Sequence, residues 1–405
     1  MTIALQAASV HDPLLRFRER FPILSRSTYL VSNSLGAMPD GTADRLAEYA
    51  ESWNTLGVRA WADRWWQLPI EVGDIVAPLM GAAPGSVSMV PTVSQAQAMI
   101  LCALDFTPER DEIVMTALDF PSVRYVTDEL APKLGARVSV VQTDDGLGID
   151  AQRVVDAITT RTKLVAISHV LFKSAWIMDV APIIAKAHAV GALVALDAYH
   201  AVGVIPVDVV TLGADFYMGG VLKWLCGGPG GCFLWVSPEQ SAALRPALTG
   251  WQAHQRPFAF EAEMAPASGA WRWLGGTPTV PALYAAMDGP RIIGEAGLPA
   301  IRAKSQRQTA RLIALADARG FPVHAPRDAL RRGGTVAFDV PHGPAVAQAL
   351  LSRDIVIDYR PGAGIRVAPH FYTTDEELEA AVTALDDILA TRAWEAYAAS
   401  RPVVT

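Results

Sequence analysis

Short apolar runs alternate with amphipathic segments between about residue 86 and residue 237 of this chain. The apolar runs are SVSMVP, EIVMTAL, RVSVVQT, TKLVAISHV, ALVALD, DFYMGG and GCFLWVS. Apolar positions recur with helical spacing in most of the segments between them. Strands that are apolar on both faces and alternate with helices are typical of a parallel sheet covered on both sides. We therefore predict an α/β fold whose large domain contains a mainly parallel seven-stranded sheet covered by helices.

The pattern changes near residue 320, where RGFPVHAPRDALRRGG interrupts the alternation. Beyond it, GTVAFDVP, IVIDYR and GIRVAP are short strand patterns, AVAQALLSRD is a helix, and a longer helix begins at TDEELEAAV. This mixture predicts a smaller α+β domain at the C-terminus. We divide the chain into an N-terminal segment (1–45) that packs on the small domain, a large domain (46–319) and the small domain (320–405).

Composition favours a protein of the reducing cytoplasm that acts on a small molecule. The chain has 405 residues, of which 51% are hydrophobic, and a net charge of −7 without any basic run, so neither nucleic acid nor a membrane is an expected partner. Cys102, Cys226 and Cys232 have no metal-ligand spacing, so we expect no disulfide framework and no metal site. The N-terminus lacks the features of a signal peptide. No apolar run approaches the ~18 residues of a membrane span.

Polar residues follow four of the predicted strands, in the segments VPTVSQ, ALDFPS, LDAYHA and GGVLKWL. Active sites in open α/β sheets lie beyond the carboxyl ends of the strands. The sequence therefore predicts that the functional residues are drawn from these four segments.

Asp197 and Lys223 are the two residues that most need an explanation. Asp197 ends the apolar run ALVALD, and Lys223 lies in the apolar, glycine-rich run YMGGVLKWLCGGPGGCFLWV. Each has an ordinary explanation. Asp197 can be a turn or cap residue, and Lys223 can be a solvated lysine in a glycine turn. Together, however, a carboxylate can hold the proton of a pyridinium nitrogen, and a lysine with a lowered pKa can form a Schiff base. Pyridoxal 5'-phosphate requires these two groups, so we predict it as the cofactor.

Two of the other strand ends provide candidate cofactor contacts. Thr92, Val93 and Ser94 lie between a strand and a helix, where amides and hydroxyls can hold a phosphate. The same pair of hydroxyl residues is also a common helix cap. Phe120 follows the next strand and can stack on the cofactor ring, although an ordinary core position is equally compatible with its sequence.

His200 and Arg366 each have two interpretations. On a continuing strand His200 would face away from Asp197. His200 therefore shares a site with Asp197 only if the chain bends after the strand. Otherwise it is a loop histidine with local partners. Arg366 is the sole charge in GIRVAP, and its guanidinium can hold the carboxylate of an α-amino acid with two hydrogen bonds. The alternative for Arg366 is an ion pair within the fold or at an interface.

The segment LDAYHAVGVIPVD…GADFYMGGVLKWLCGGPGG resembles the core of the class V, fold-type I pyridoxal-phosphate enzymes, and is most similar to kynureninases. Kynureninases carry Asp-x-x-His at a strand end, then Ala-x-Gly-x-x-Pro, the cofactor lysine and Gly-Pro-Gly-Gly. The matching residues are Asp197, His200, Ala201, Gly203, Pro206, Lys223 and Gly228 to Gly231. YLVSNSLGAMP, FPS, GWQAH, GGTP and IRVAP are further matches, in family order from about residue 28 to residue 370.

The resemblance implies a role for each matching residue. Lys223 would form the Schiff base, with Asp197 and His200 beside the cofactor and Phe120 stacked on its ring. Val93 and Ser94 would hold the phosphate. Trp251 and Thr277 would reach the phosphate of the neighbouring subunit, which implies a homodimer with its active site at the subunit interface. Asn33 and Arg366 would contact an amino acid substrate.

Two departures from kynureninases concern the reaction itself. Kynureninases have a tyrosine immediately before the lysine and an aspartate after Phe-Pro-Ser, whereas this chain has Leu222 and Val123. Leucine cannot donate a proton, so a hydrolase of this type needs another acid. Tyr199 and Tyr217 are the two candidates.

The resemblance leaves two reactions open. The first is hydrolysis of the Cβ–Cγ bond of an L-kynurenine-type amino acid to alanine and an aryl acid, with Lys223 also carrying the proton at Cα. The second is another class V reaction on a small α-amino acid, by a Cβ–S lyase or desulfurase, an aminotransferase or an epimerase. A desulfurase needs a cysteine on a small-domain loop, and none follows Cys232. A non-catalytic scaffold is disfavoured because Lys223 and Asp197 are both present.

Trp61, Trp65 and Trp66 form a cluster in RAWADRWWQLP. Tryptophan often anchors cores and interfaces, so we predict core or dimer packing for them. An aromatic wall for an aryl substrate is the alternative.

Overall fold

The structure is a computed structural model that describes residues 12–399. Its strands are β1 (Thr28–Tyr29), β2 (Val87–Val90), β3 (Glu112–Thr116), β4 (Arg137–Val141), β5 (Thr162–Ser168), β6 (Leu193–Asp197), β7 (Phe216–Gly220), β8 (Cys232–Val236), β9 (Val336–Phe338), β10 (Ile355–Val356), β11 (Asp358–Arg360) and β12 (Gly364–Val367). Its α-helices are α1 (Thr42–Leu56), α2 (Leu68–Val76), α3 (Val93–Leu101), α4 (Pro121–Leu130), α5 (Ala151–Ala157), α6 (Val180–Ala189), α7 (Val209–Leu212), α8 (Pro238–Ala243), α9 (Val280–Ala285), α10 (Asp288–Ala296), α11 (Leu298–Asp317), α12 (Gly343–Leu351) and α13 (Asp375–Ala390). Residues 1–11, which carry most of the segment compared with a signal peptide, lie outside the described residues.

A seven-stranded sheet with the order β2-β8-β7-β6-β5-β3-β4 forms the centre of the fold. Strand β8 is antiparallel to both of its neighbours, and the other pairs are parallel. This arrangement confirms the prediction of a mainly parallel seven-stranded sheet and an α/β fold.

The strands are almost wholly apolar because the sheet is covered on both faces. In β3, Val114 belongs to one hydrophobic core, whereas its neighbours Ile113 and Met115 belong to the other. Helix α6 contributes Ile183 to the first core, and α3 contributes Met99 to the second. Side chains alternate between the two faces of a strand, so a strand between two helical layers needs apolar residues at every position.

A smaller unit follows at the C-terminus, with a three-stranded antiparallel sheet in the order β11-β12-β9. Its core combines residues of this sheet with those of α12 and α13, and it also includes Leu312 and Ala316 of α11. The domain boundary near residue 320 therefore stays a prediction.

The N-terminal residues contact this smaller unit. Strand β1 pairs in parallel with β10, and Leu30 belongs to the core of the small unit. Arg18 forms an ion pair with Glu377 at 2.7 Å. These contacts agree with the predicted packing of the N-terminal segment, whose limits remain untested.

None of the helices within residues 12–399 is both long enough and apolar enough to cross a membrane.

Candidate active site

Asp197 ends β6 and bends the chain directly after the strand. Its Oδ1 accepts a hydrogen bond from the backbone N–H of Tyr199 at 2.9 Å, and a turn closes between Ala198 and Ala201. Asp197 thus has the role of a turn residue that we considered as its ordinary explanation. It is also only 5% exposed, and its Oδ2 has no hydrogen-bond partner among residues 12–399. An unpartnered carboxylate oxygen on a buried residue is costly, so it is available to a ligand.

The same bend brings His200 to Lys223. Nζ of Lys223 lies 2.7 Å from Nε2 of His200, a hydrogen-bond distance. On a continuing strand the histidine would have faced the opposite side. The condition for His200 to share the site, a bend after β6, is therefore met.

The charges of these groups are shifted by burial and by one another. Withdrawal from water lowers the pKa of Lys223, and the positive charge of Arg366 lowers it further, whereas Asp197 opposes both effects. Burial raises the pKa of Asp197, against the hydrogen bond from Tyr199 and the charge of Lys223. Burial also lowers the pKa of His200 well below its usual value, with Lys223 and Arg366 adding to the shift. The neutral amine of Lys223 is therefore accessible near neutral pH, as a nucleophile for an aldehyde requires.

A loop from the N-terminal part of the chain closes on the Lys223 turn. The N–H of Gly36 donates to the carbonyl oxygen of Leu222 at 2.8 Å. A Cβ at Gly36 would collide with the carbonyl oxygen of Lys223, so glycine is required for this close approach. Gly36 is thereby held against the backbone of the Lys223 turn.

Aromatic rings lie beside the Lys223 amine. Nζ is 5.3 Å from the centroid of the Phe120 ring and 4.6 Å from that of Tyr199. Phe172 packs edge-to-face on Phe120 with a centroid separation of 5.1 Å. These rings offer apolar faces to a flat ligand bound at Lys223.

The start of α3 has the features of an anion site. The hydroxyl of Thr92 accepts from the N–H of Gln95 at 3.2 Å and so caps the helix. Val93 and Ser94 are the first two helical residues, and the first N–H groups of an α-helix have no partner within it. The predicted phosphate site is thus a helix N-terminus, although Thr92 itself serves as an ordinary cap.

Arg366 already has a carboxylate partner within the chain. Its Nε donates to Oδ1 of Asp358 at 2.8 Å, and its Nη2 donates to Oδ2. Nη1 donates to the carbonyl oxygen of Phe172 at 2.7 Å. With its amide oxygen turned towards the guanidinium, Asn33 accepts at 3.2 and 3.3 Å. The structure thus brings Asn33 and Arg366 together, and their predicted contact with a substrate remains a prediction.

Trp251 and Thr277 both lie on the surface of the chain. Trp251 is 41% exposed, and Thr277 is exposed as well. Gly250 packs against Gly275, which places the two segments side by side. Within residues 12–399 neither side chain forms a hydrogen bond or ring contact with Lys223 or Asp197. A role at the neighbouring subunit remains a prediction for both.

The tryptophan cluster divides between the core and this surface. Trp65 is buried and packs on Tyr49 with centroids 5.5 Å apart. The ring centroid of Trp66 lies 4.8 Å from that of Trp251 and 4.7 Å from that of Phe258. Packing, which we favoured for this cluster, is what the chain shows for Trp65.

Sequence reasoning missed three charged residues of the site. Asp119 is buried and accepts from the N–H groups of Thr116 and Ser168, both at 2.7 Å, which joins the ends of β3 and β5. It could have been found as a second carboxylate at the end of an apolar strand. Asp358 and Arg360 could have been found from the alternation of polar residues in IVIDYR. The described residues contain no group of three or more His, Cys, Asp or Glu side chains suited to a metal ion.

Comparison with known proteins identifies the class to which this fold and site belong. The family model described as "Aminotransferase class-V" matches residues 28–379. The chain therefore belongs to the aminotransferase class-V family.

Two kynureninases and two solved structures are similar to the chain over more than 90% of its length. The chain is 34% identical to a kynureninase from Burkholderia pseudomallei (strain 1106a), over 97% of each protein. It is 32% identical to a kynureninase from Pseudomonas fluorescens, over 96% of this chain and 95% of the relative. A cysteine desulfurase from Thermococcus onnurineus NA1 has a TM-score of 0.83, with 23% identity over 95% of this chain and all of that one. A cystine C–S lyase in complex with cysteine persulfide has a TM-score of 0.82, with 21% identity over 91% and 99%.

The residues of the site fit the cofactor of this family. The unpartnered Oδ2 of Asp197 can accept the proton of a ring nitrogen, the amine of Lys223 is poised to lose its proton, and the start of α3 suits a phosphate. The protein is a pyridoxal-phosphate-dependent enzyme of class V, similar over nearly its full length to kynureninases.

Proposed function

We propose that this enzyme hydrolyses the Cβ–Cγ bond of an L-kynurenine-type amino acid, releasing alanine and an aryl acid. The observation that carries the proposal is the similarity to kynureninases over nearly the full length of both chains. The rings of Phe120 and Tyr199 beside the Lys223 amine, with Phe172 packed on Phe120, support an aryl substrate.

Pyridoxal phosphate, when bound, supplies a ring that takes up the electrons of the bonds broken at the substrate. Asp197 keeps a proton at the ring nitrogen through Oδ2. Lys223, as the neutral amine, takes the proton from Cα of the substrate and returns it there later. His200, at 2.7 Å, accepts a hydrogen bond from this amine and holds it in place.

The reaction also needs an acid for Cβ. Water adds to the γ-carbonyl carbon, the Cβ–Cγ bond breaks, and Cβ takes up one proton. We assign this proton to the hydroxyl of Tyr199, which has no hydrogen-bond partner among the described residues. Burial raises the pKa of Tyr199, and Cys232 and Asp197 raise it further. The hydroxyl therefore stays protonated until Cβ takes up its proton. Solvent then restores the proton.

Tyr217 is the poorer candidate for this acid. Its hydroxyl is 2.9 Å from Nδ1 of His169, and the side chain is fully buried in the core that includes Ile183. Tyr199 is partly exposed beside the amine of Lys223. We therefore expect Tyr217 to act in packing.

A desulfurase reaction is disfavoured by the cysteines. A persulfide-forming cysteine must be accessible and readily ionised. Cys226, the cysteine closest in sequence to Lys223, is buried, and burial raises its pKa to about 12. Cys232 is also buried with a raised pKa, and no cysteine follows it in the sequence.

Leu222 favours a second candidate function. Its side chain has no hydroxyl at the position where kynureninases have tyrosine. A Cβ–S lyase that needs no cysteine, an aminotransferase or an epimerase does not require the proton donor that hydrolysis requires. Such an enzyme would act on another small α-amino acid at the same Lys223.

We also propose a cytoplasmic homodimer whose active site lies at the subunit interface. Trp251, Phe258 and Phe260 form an exposed aromatic cluster, which is a common feature of interfaces. Free thiols at Cys102, Cys226 and Cys232 suit a reducing compartment. Light scattering during gel filtration would measure the mass of the assembly, and a monomer would contradict the dimer.

The test of the proposed function is a substrate panel with purified holoenzyme. L-kynurenine and 3-hydroxykynurenine are incubated with the enzyme, and alanine and the matching anthranilate are quantified. L-cysteine and L-cystine are assayed in parallel for sulfide and pyruvate. Lys223→Ala serves as the inactive control, and Lys133→Ala, at an exposed lysine, serves as the matched active control.

We expect equal amounts of alanine and anthranilate from wild type and from Lys133→Ala, and neither product from Lys223→Ala. The hydrolase proposal is wrong if neither kynurenine is cleaved while another amino acid is turned over. That outcome would support the second candidate.

A further inference from the structure

A groove of about 480 Å³ lies between the segment that follows β6 and the segment that precedes the small antiparallel sheet. Most of its lining side chains are apolar, including those of Ile205, Leu212 and Leu330. Its volume is within the range of pockets that bind small molecules, ~300–1,000 Å³. None of the side chains that contact the Lys223 amine lines it. The groove is therefore separate from the candidate active site.

His169 lines this groove with a ring whose proton can be placed. The residue is 6% exposed, and its Nδ1 lies 2.9 Å from the hydroxyl of Tyr217. Burial lowers the pKa of His169 to about 4, so the ring is neutral at physiological pH and carries a single N–H. The buried hydroxyl of Tyr217 has no other partner among the described residues, so it donates to Nδ1. The ring proton of His169 is therefore on Nε2.

This Nε2–H group has no acceptor within residues 12–399. Nε2 is not enclosed by protein atoms, in contrast to unpartnered buried nitrogens such as Nδ1 of His370. Because His169 lines the groove, its free N–H opens into that space. A donor on a residue buried to this extent is costly without an acceptor, so the groove has a place for one.

Arg302 brings a positive charge to the same groove. Its Nη1 donates to the carbonyl oxygen of Arg332 and its Nη2 to that of Ala329, both at 2.7 Å. In the part of the chain that the structure describes, its Nε–H has no acceptor and its guanidinium forms no ion pair. Burial lowers the pKa of Arg302, and the charge of Arg332 lowers it further. The half-buried charge of Arg302 thus lacks a counter-charge from the described residues.

One carboxylate, that of Asp208, also lines the groove. It accepts from the N–H of Thr211 at 2.8 Å and so caps α7. Asp208 is exposed and, as far as residues 12–399 show, has no ion pair with Arg302. Water screens an exposed charge far more than a half-buried one, so Asp208 does not neutralise Arg302.

We propose that this groove binds a small carboxylic acid with an apolar body. The carboxylate accepts from the Nε2–H of His169 and from the guanidinium of Arg302, and the apolar body packs on Ile205, Leu212 and Leu330. Both donors then have an acceptor, and Arg302 gains a counter-charge. A phosphate suits the groove less well, because its second negative charge would face an apolar surface. The proposal does not depend on which amino acid the enzyme converts.

The test titrates holoenzyme with benzoate and measures binding by calorimetry. Benzamide is the matched ligand without the charge, and acetate is the matched ligand without the apolar body. Arg302→Gln removes the positive charge, and Leu330→Glu places a negative charge at a position that is 75% exposed. Leu330→Gln is the uncharged control of the same size, and Arg353→Gln removes an exposed guanidinium that pairs with Asp387 elsewhere.

We expect wild type to bind benzoate about tenfold or more tightly than benzamide or acetate, because a hydrogen bond to a charged group is worth about 1.5–3 kcal/mol. Arg302→Gln and Leu330→Glu should each weaken benzoate binding by about tenfold, whereas Leu330→Gln and Arg353→Gln should stay close to wild type. Equal affinity for benzoate and benzamide would overturn the proposal. Wild-type affinity of Leu330→Glu for benzoate would also overturn it, since benzoate would then bind elsewhere.

The two groove variants keep the test decisive if one of them folds poorly. Arg302 supports the backbone at Ala329 and Arg332, so the thermal unfolding midpoint of each variant is measured alongside. Leu330→Glu changes an exposed side chain, and it decides the question alone if the midpoint of Arg302→Gln falls. Turnover is not part of the readout, so failure of the proposed function leaves this test unaffected.

Discussion

Nζ of Lys223 and Nε2 of His200 lie 2.7 Å apart, on two turns that follow adjacent strands of the sheet. Both pKa values are lowered, chiefly because both groups are withdrawn from water, and the charge of Lys223 lowers the pKa of His200 further. An amine held in this way stays neutral at a pH where an exposed lysine is almost fully charged.

The rate at which apoenzyme forms the yellow cofactor complex should therefore rise with pH over a lower pH range than the same reaction of an ordinary lysine. Only the neutral amine attacks the aldehyde, and it predominates above its pKa. Because the pKa of Lys223 is lowered from 10.5, the rate should rise with pH and reach its half-maximum well below 10.5. The measurement is the rate at which absorbance appears after apoenzyme is mixed with pyridoxal phosphate across a pH series.

Nα-acetyl-lysine in the same buffers is the control, since its side chain has an ordinary pKa. If protein and control reach half-maximum at the same pH, the environment of Lys223 does not tune its charge. The interpretation of the buried amine would then be wrong.

Tyr199→Phe should lower kcat while leaving cofactor binding and KM nearly unchanged. The substitution removes the hydroxyl and keeps the ring beside Lys223. Loss of a general acid commonly costs about a hundredfold or more in rate. Steady-state kinetics with the best substrate of the panel, together with the absorbance of the bound cofactor, would separate the two effects.

Tyr217→Phe is the matched comparison. It breaks the hydrogen bond with His169, so it should lower the free energy of unfolding by about 1 kcal/mol with a small effect on kcat. Introducing Leu222→Tyr into Tyr199→Phe should restore part of kcat, because a hydroxyl returns next to Lys223. A larger loss of kcat in Tyr217→Phe than in Tyr199→Phe would contradict the assignment of the acid.

The sheet and its two central residues were predictable from sequence because both have strong local signals. A strand buried on both faces must be apolar throughout, so β3, β6 and β7 are recognisable without any tertiary information. A charge in such a run is expensive unless it has a function. Asp197 and Lys223 are therefore visible as exceptions to the pattern.

The partners of the charged residues were not predictable, since they depend on the geometry of a turn, on the register of a hairpin and on a loop from a distant part of the chain. The placement of His200 depends on a bend that Asp197 creates through its own turn. Asp358 binds Arg366 across a hairpin, and Ser34 reaches the same carboxylate from the N-terminal loop. Neither the register of that hairpin nor the position of that loop is encoded in a local pattern.

Asp358→Ala should destabilise the apoenzyme strongly. Asp358 and Arg366 are both buried, and removal of one partner leaves a guanidinium without a counter-charge. Breaking a buried ion pair in this way costs about 3–5 kcal/mol. Urea unfolding followed by circular dichroism would measure the change in the free energy of unfolding.

Asp387→Ala provides the comparison for this change. Asp387 pairs with Arg353 at the surface, where an ion pair contributes no more than about 1 kcal/mol. Equal destabilisation by the two substitutions would show that the buried pair with Arg366 is not an important support of the small unit.

Gly220→Ala should reduce kcat through Tyr199, although Gly220 itself has no functional group. A Cβ at this position would collide with the hydroxyl end of the Tyr199 ring, so the ring must move away from its place beside Lys223. We expect a loss of kcat that approaches that of Tyr199→Phe. In the double variant the two losses should not add, because both act on one hydroxyl.

Gly294→Ala in α10 is the control, since its new Cβ would meet only Cδ2 of Leu79 at 3.7 Å. Full additivity of the two losses, or normal kcat in Gly220→Ala, would exclude Tyr199 as the proton donor.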